Sequence, residues 1–163
     1  MKILAPLRHS DEVRPLLDAG AGEFYCGLAP PTWAGAFAGV AVHRRSSASA
    51  SVPDLADLDR IVARAAGRPV FATLNATSYP AGAVATLVAF ARTLVDAHGV
   101  AGVIVAELEL VLALREAGLA GRVHVSSLAT CRNPGAAAFW RRLGVSRVIL
   151  PRHVTLAEIE QTA

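Results

Sequence analysis

The feature that most constrains this chain is a pattern it repeats five times: a helix-like stretch closed by glycine, then a short apolar run within a few residues. Gly20, Gly67, Gly99, Gly118 and Gly144 precede "EFYCGL", "PVFATLN", "GVIVAEL", "RVHVSS" and "RVILPR", and the opening "KILAPL" supplies a sixth run. Glycine suits the position just past a helix because a left-handed backbone costs it little. Runs nearly continuous in Val, Ile and Leu suit parallel strands that are covered on both faces.

The stretches between the runs carry helix signals. Val84, Leu87, Val88, Ala91, Leu94 and Val95 recur at three- and four-residue steps, which places them on one helical face. Asn133 followed by Pro134 marks a helix start, and Thr155 with Glu158 has the spacing of a capping box. Ser10 is the expected cap of the first helix, with Pro15 inside it moving the start a residue or two later.

Six alternations of strand and helix, joined by right-handed crossovers, fit an open doubly wound sheet or a (β/α)8 barrel. The first strand-to-helix loop, "APLRHSDE", has no glycine to bring backbone amides against a pyrophosphate, which argues against a dinucleotide fold. The expectation is an α/β, TIM-barrel-like parallel architecture with about six of eight units, an incomplete barrel. Residues 1–163 are read as a single domain with a long loop at 29–52.

Composition removes several function classes. Apolar residues make up 53% of the chain, yet no run reaches the roughly 18 uninterrupted residues of a membrane span. The N-terminal "MKILAPLRHSDE" lacks the apolar region of a secretory signal, so a cytoplasmic location without membrane contact is expected. Sixteen basic against 13 acidic residues give a charge of +3, too slight to announce a nucleic-acid binder; RNA stays a partner class without further support. Cys26 and Cys131 stand far apart without a CxxC spacing, which points to packed thiols and to no metal site.

In a barrel the chemistry gathers where strands end and the following loops begin. Those positions hold Arg8 and His9, Tyr25 and Cys26, Thr73 and Asn75, Glu107, Ser126 and Ser127, and Arg152 and His153. Glu107, Asn75, Ser126 and His153 are the catalytic candidates, and Arg152, Tyr25, Arg44 and Arg45 the substrate-binding ones, with the arginines suited to an anionic small molecule. Polar residues also appear at strand ends merely because solvent is there. Glu107 stands out as an acid directly after an apolar run, where a following helix N-terminus favours its ionised form. His124 lies mid-strand and is expected as a hydrogen-bonded core histidine. In the long loop, Trp33 and Phe37 are candidates to close on a substrate, Arg44 and Arg45 to meet an anion, and the tract Ser46–Ser51 reads as a linker.

Taken in order, "MKILAPL", "AGAGEFYCGL", "FATLN", "AELELVLALREAG", "HVSSLATCRN" and "FWRRLGVSRVILPRHVTLAEI" resemble the N-terminal barrel half of the collagenase-like U-type peptidases, family 32. The resemblance is strongest from His124 to Ile159 and implies a barrel. It also implies an enzyme or enzyme subunit, acting as a peptidase or in oxygen-independent hydroxylation of RNA bases or a ubiquinone precursor. Several such proteins carry a [4Fe-4S] cluster on cysteines and are thought to draw on prephenate as oxygen source. The family's cysteine-bearing signature follows the segment matching "RHVTLAEI" and is not reached here, so no cofactor is expected in this chain. Two smaller departures are Leu128 where a Gln is usual after the fifth strand, and Glu107 where relatives tend to have Asp. The alternative is a non-catalytic binding or scaffold module that needs a partner. Six units of eight leave two sheet edges open, so a homo-oligomer or a partner chain completing the barrel is expected.

Overall fold

All six apolar runs form strands in the computed structural model, which describes residues 2–44 and 51–162. They are β1 (Ile3–Pro6), β2 (Ala21–Gly27), β3 (Val70–Leu74), β4 (Gly102–Val105), β5 (Val123–Val125) and β6 (Arg147–Val148). Every pairing is parallel and follows chain order from β1 to β6. Helices alternate with them: α1 (Val13–Asp18), α2 (Trp33–Ala36), α3 (Leu55–Arg64), α4 (Ala83–Ala97), α5 (Leu108–Glu116), α6 (Pro134–Arg142) and α7 (Leu156–Thr162). The five repeat glycines all have φ between +65° and +90°, the left-handed turn that ends each helix and aims the chain into the next strand.

The register sorts the strand residues into two faces. Phe24, Cys26, Val70, Ala72, Leu74, Val103, Val105, Val123 and Val125 are buried in the core. Leu58 and Ile61 of α3, Leu87, Ala91 and Leu94 of α4, and Leu110, Val111 and Leu114 of α5 are buried with them. Each such large side chain contributes roughly 1.5–3 kcal/mol by leaving water. The alternate residues, Glu23, Tyr25, Phe71, Thr73, Ile104, His124 and Arg147, share the opposite, concave face.

An ion pair shows how far the sheet curls. Glu23 on β2 takes two hydrogen bonds from the Arg147 guanidinium on β6, at 2.5 and 2.9 Å. Four strand spacings would separate these strands by about 19 Å in a flat sheet, beyond the joint reach of the two side chains. The sheet therefore wraps around this pair as an incomplete α/β barrel. Arg147 also lies 5.8 Å from the centre of the Phe71 ring, which packs on the His124 ring at 4.2 Å. Gly102 on β4 fits only because it has no side chain: a Cβ there would stand 2.2 Å from the Arg122 carbonyl oxygen.

The local helix signals fare differently. Asn133 caps α6 by accepting from the Ala136 amide at 2.9 Å, and Thr155 with Glu158 forms the expected reciprocal box before α7. Ser10 does not cap α1. A single 3-10 turn, Ser10–Glu12, precedes it, and the buried Ser10 gives its amide to the Asp57 carboxylate of α3 at 3.3 Å. Pro15 falls in the first turn of α1, where its missing N–H has no intrahelical partner to lose. His124 is buried as expected, but its Nδ1 has no hydrogen-bond partner among the described residues. Burial, then the Arg147 charge, pushes its pKa down to about 4, so the ring is neutral at ordinary pH. Among the described residues no helix is long and apolar enough to cross a membrane.

Glu23 is held below its ordinary 4.5, first by the Arg147 hydrogen bonds, against the upward push of burial. A carboxyl depressed by folding adds stability that is complete above its unfolded value and is lost as pH falls through the folded one. Urea denaturation from pH 7 downward should therefore show a stability loss beginning below 4.5. Arg147→Ala should lower stability at pH 7 by about 1.5–3 kcal/mol, the range for hydrogen bonds to charge. It should also flatten the acid limb without abolishing it. Asp57 keeps a share, because hydrogen bonds from Ser10 and Arg60 outweigh the upward push of its own burial.

Candidate functional site

Where the strands end, the concave face opens into a cavity of about 280 Å³. Leu4, Ile104 and Ile149 give it apolar walls, and Tyr25, Thr73, Asn75, Ser126 and Ser127 give it polar groups. Period-two alternation explains the convergence, since Tyr25 lies two residues beyond Glu23, Thr73 and Asn75 follow Phe71, and Ser126 follows His124. The Asn75 side chain bridges the site. Its Oδ1 accepts from the Arg44 amide at 3.1 Å, and its Nδ2 donates to Ser126 Oγ at 3.4 Å. Ser126 is 3% exposed and opens a 3-10 turn, Ser127–Ala129, with its Oγ accepting from the Leu128 amide at 3.3 Å. Thr73 Oγ1 donates to the Cys26 carbonyl at 3.1 Å. Thr73, Asn75 and Ser126 are thus held by neighbours rather than left to rotate.

Tyr25, Asn75 and Ser126 come together in this cavity, whereas Glu107, Arg152 and His153 are not among its lining residues. Glu107 is the N-cap of α5, and its two carboxylate oxygens accept from the Glu109 and Leu110 amides at 2.9 and 2.7 Å. Arg152 and His153 are exposed in the turn after β6. Arg44 is exposed and reaches the site through its backbone, and Arg45 lies outside the described residues, as does most of the Ser46–Ser51 tract.

The long loop holds a second group, of which the sequence singled out Trp33 and Phe37 but not Tyr79, His43 or Ser51. Trp33 is buried at 4% exposure, donates from Nε1 to the Val40 carbonyl at 2.8 Å, and packs on Phe37 and Tyr79 at 4.7 and 6.2 Å between ring centres. Trp33 and Phe37 therefore anchor the loop. Tyr79 donates its hydroxyl to the Val42 carbonyl at 2.8 Å, and burial pushes its pKa up. His43 is buried, and its Nε2 lies 3.1 Å from Ser51 Oγ. The only sequence signal for this pair is a lone histidine and a serine flanking "RRSSASA".

An iron–sulfur cluster of the kind the resemblance implies needs about four thiolates. Cys26 faces the helix layer with its Sγ 3.8 Å from the Phe71 carbonyl, and Cys131 is buried beyond β5, its pKa raised by burial. Among the described residues no three metal-ligating side chains gather. The residues present do not fit such a cluster.

Because Glu107 spends both oxygens on its own helix, Glu107→Ala should cost about 0.5–2 kcal/mol of stability, as loss of a cap does. Denaturation melts should show that loss while amide resonances of Asn75 and Ser126 stay in place. Unchanged stability, with those resonances displaced, would assign the carboxylate to the cavity instead.

The sequence profile of peptidase family U32 matches residues 8–163. Among solved structures, the U32 peptidase Mk0906 matches with a TM-score of 0.69 and 18% identity, over 99% of this chain and 64% of that one. The likeness is one of fold, and this chain spans 64% of that protein's length. No curated protein matches it in sequence. A family profile covering nearly the whole chain, on a curled parallel sheet shared with a U32 structure, places this chain in peptidase family U32.

Proposed function

We propose that this chain forms the substrate-binding part of a U32-family enzyme of the peptide-hydrolysing kind, and that the cavity at the strand ends holds an uncharged, hydrogen-bonding group such as a peptide amide. The observation that carries this reading is the lining itself. Hydroxyls and one carboxamide converge from β2, β3 and β5 onto apolar walls, with no charged side chain among the described lining residues. Such a site can donate to a carbonyl oxygen and accept from an N–H, and its described lining offers no charge to neutralise a buried one. The family's other activity, oxygen-independent hydroxylation, draws on a cluster that Cys26 and Cys131 do not fit.

A binding module that works with a partner is the second reading, favoured by β1 and β6, which among the described residues each pair on one side only. Unpaired strand edges invite further strands, and a symmetric homodimer is the commonest closed assembly.

Titration by NMR with an N-acetylated dipeptide amide, and separately with a small dicarboxylate, tests the proposal. The amide should shift resonances at Tyr25, Asn75 and Ser126, and Asn75→Ala should weaken it about 5- to 10-fold, the loss of a net hydrogen bond or two. Preferential binding of the dicarboxylate, lost in Arg152→Ala and untouched in Asn75→Ala, would move the site to the exposed turn after β6 and overturn the reading.

A further inference from the structure

We propose that Ser51 and His43 form a nucleophile–base pair that attacks acyl compounds with a small apolar acyl group. The inference takes only its substrate, an amide or ester, from the peptide-hydrolysing reading; the chemistry of the pair stands on its own geometry. Ser51 Oγ and His43 Nε2 are 3.1 Å apart, within the reach that lets a histidine take a serine proton. Both line a cavity of about 320 Å³ with Ala29, Trp33 and Val40. The histidine is held rather than free: it is 6% exposed and lies over Gly27 at the end of β2, where a Cβ would stand 2.6 Å from ring atoms Cε1 and Nε2. Gly27 also receives the chain on the other side of the pair, its carbonyl accepting from the Val52 amide at 2.7 Å.

One glycine therefore sets both partners, Ser51 through its bridge to Gly27 and His43 through ring contact. The pair also belongs to the chemical end of the sheet. Arg44, next to His43 in the chain, donates its amide to Asn75 in the binding cavity. The Trp33 ring, fixed by its hydrogen bond to Val40, gives an apolar wall for an acyl group.

In the reaction Ser51 Oγ bonds to the carbonyl carbon while its proton passes to His43 Nε2. The C–N or C–O bond then breaks, and His43 returns the proton to the leaving nitrogen or oxygen. Water attacks the resulting acyl-serine with His43 again as base, releasing a carboxylic acid and restoring the serine. No oxidant, metal or further co-reactant is needed.

The test is labelling of the full chain by a fluorophosphonate, which forms a phosphonyl ester on an activated serine and expels fluoride. Wild type should label with a stoichiometry near one, and peptide mapping should place the adduct on Ser51. Labelling should vanish in Ser51→Ala and slow about 100-fold in His43→Gln, the low end for loss of a general base. It should slow as well in Gly27→Ala, which displaces the ring without removing it, and stay unchanged in Ser146→Ala. Circular dichroism of each variant separates lost chemistry from lost fold. A folded wild type that does not label, or labelling that survives Ser51→Ala, overturns the pair. If the dipeptide amide still binds in that case, the cavity reading stands and only this inference falls.

Discussion

The Glu23–Arg147 ion pair is the constraint on which the rest of the structure depends. It joins β2 to β6, residues 124 positions apart in the chain, across the concave face of the sheet. Glu23 is buried, the arginine about two-fifths exposed, and Lys2 adds a weaker contact at 3.8 Å. Burying a carboxylate is costly, and a bidentate guanidinium mainly offsets that cost. The value of the pair lies in geometry. An apolar contact of similar area would tolerate a range of curvatures, whereas two hydrogen bonds at fixed angles tolerate few. Phe71 and His124 pack under the guanidinium and fill the floor, and the neutral state of His124 avoids a second cation beside Arg147.

That curvature makes the mouth. On a flat sheet, Tyr25, Asn75 and Ser126 would lie in a row; on the curled one they line a common cavity, closed by Leu4 from one end of the sheet and Ile149 from the other. Each layer depends on the one beneath it. The charged pair at Glu23 and Arg147 sets the radius, and the residues two further along β2, β3 and β5 become the lining. The loop from Ala29 to Arg44 then rests on this rim through Arg44 and Asn75, with Trp33 as its buried anchor.

Much of this was legible in the sequence, and the remainder was hidden for physical reasons. The glycine-then-aliphatic pattern located all six strands because it is local: a left-handed turn and a buried strand each leave a mark within a few residues. Asn133 and the Thr155–Glu158 box were legible for the same reason. Tyr25, Asn75 and Ser126 could be placed at one mouth because strand ends in a parallel sheet share a side. The ion pair could not be read, since Glu23 looks like a strand border and Arg147 like a variable residue before "VIL" until curvature brings them together. Glu107 illustrates a different difficulty. An acid between a strand and a helix has the same sequence signature whether it faces a ligand or caps the helix, and only the 2.7 and 2.9 Å contacts to its own amides distinguish them. His43 and Ser51 sit in a loop and meet at the bare surface of Gly27, which lies on another element and leaves no mark near them in the sequence.

The most direct test of the central claim is a double-mutant cycle of Glu23→Gln, Arg147→Met and the pair together, followed by urea denaturation at neutral pH. If the two side chains meet across the concave face and hold the curl, the cycle should return a coupling energy of about 1–3 kcal/mol, as contacting charged groups do. Single effects that add to within about 0.3–0.5 kcal/mol, the behaviour of distant independent sites, would contradict it.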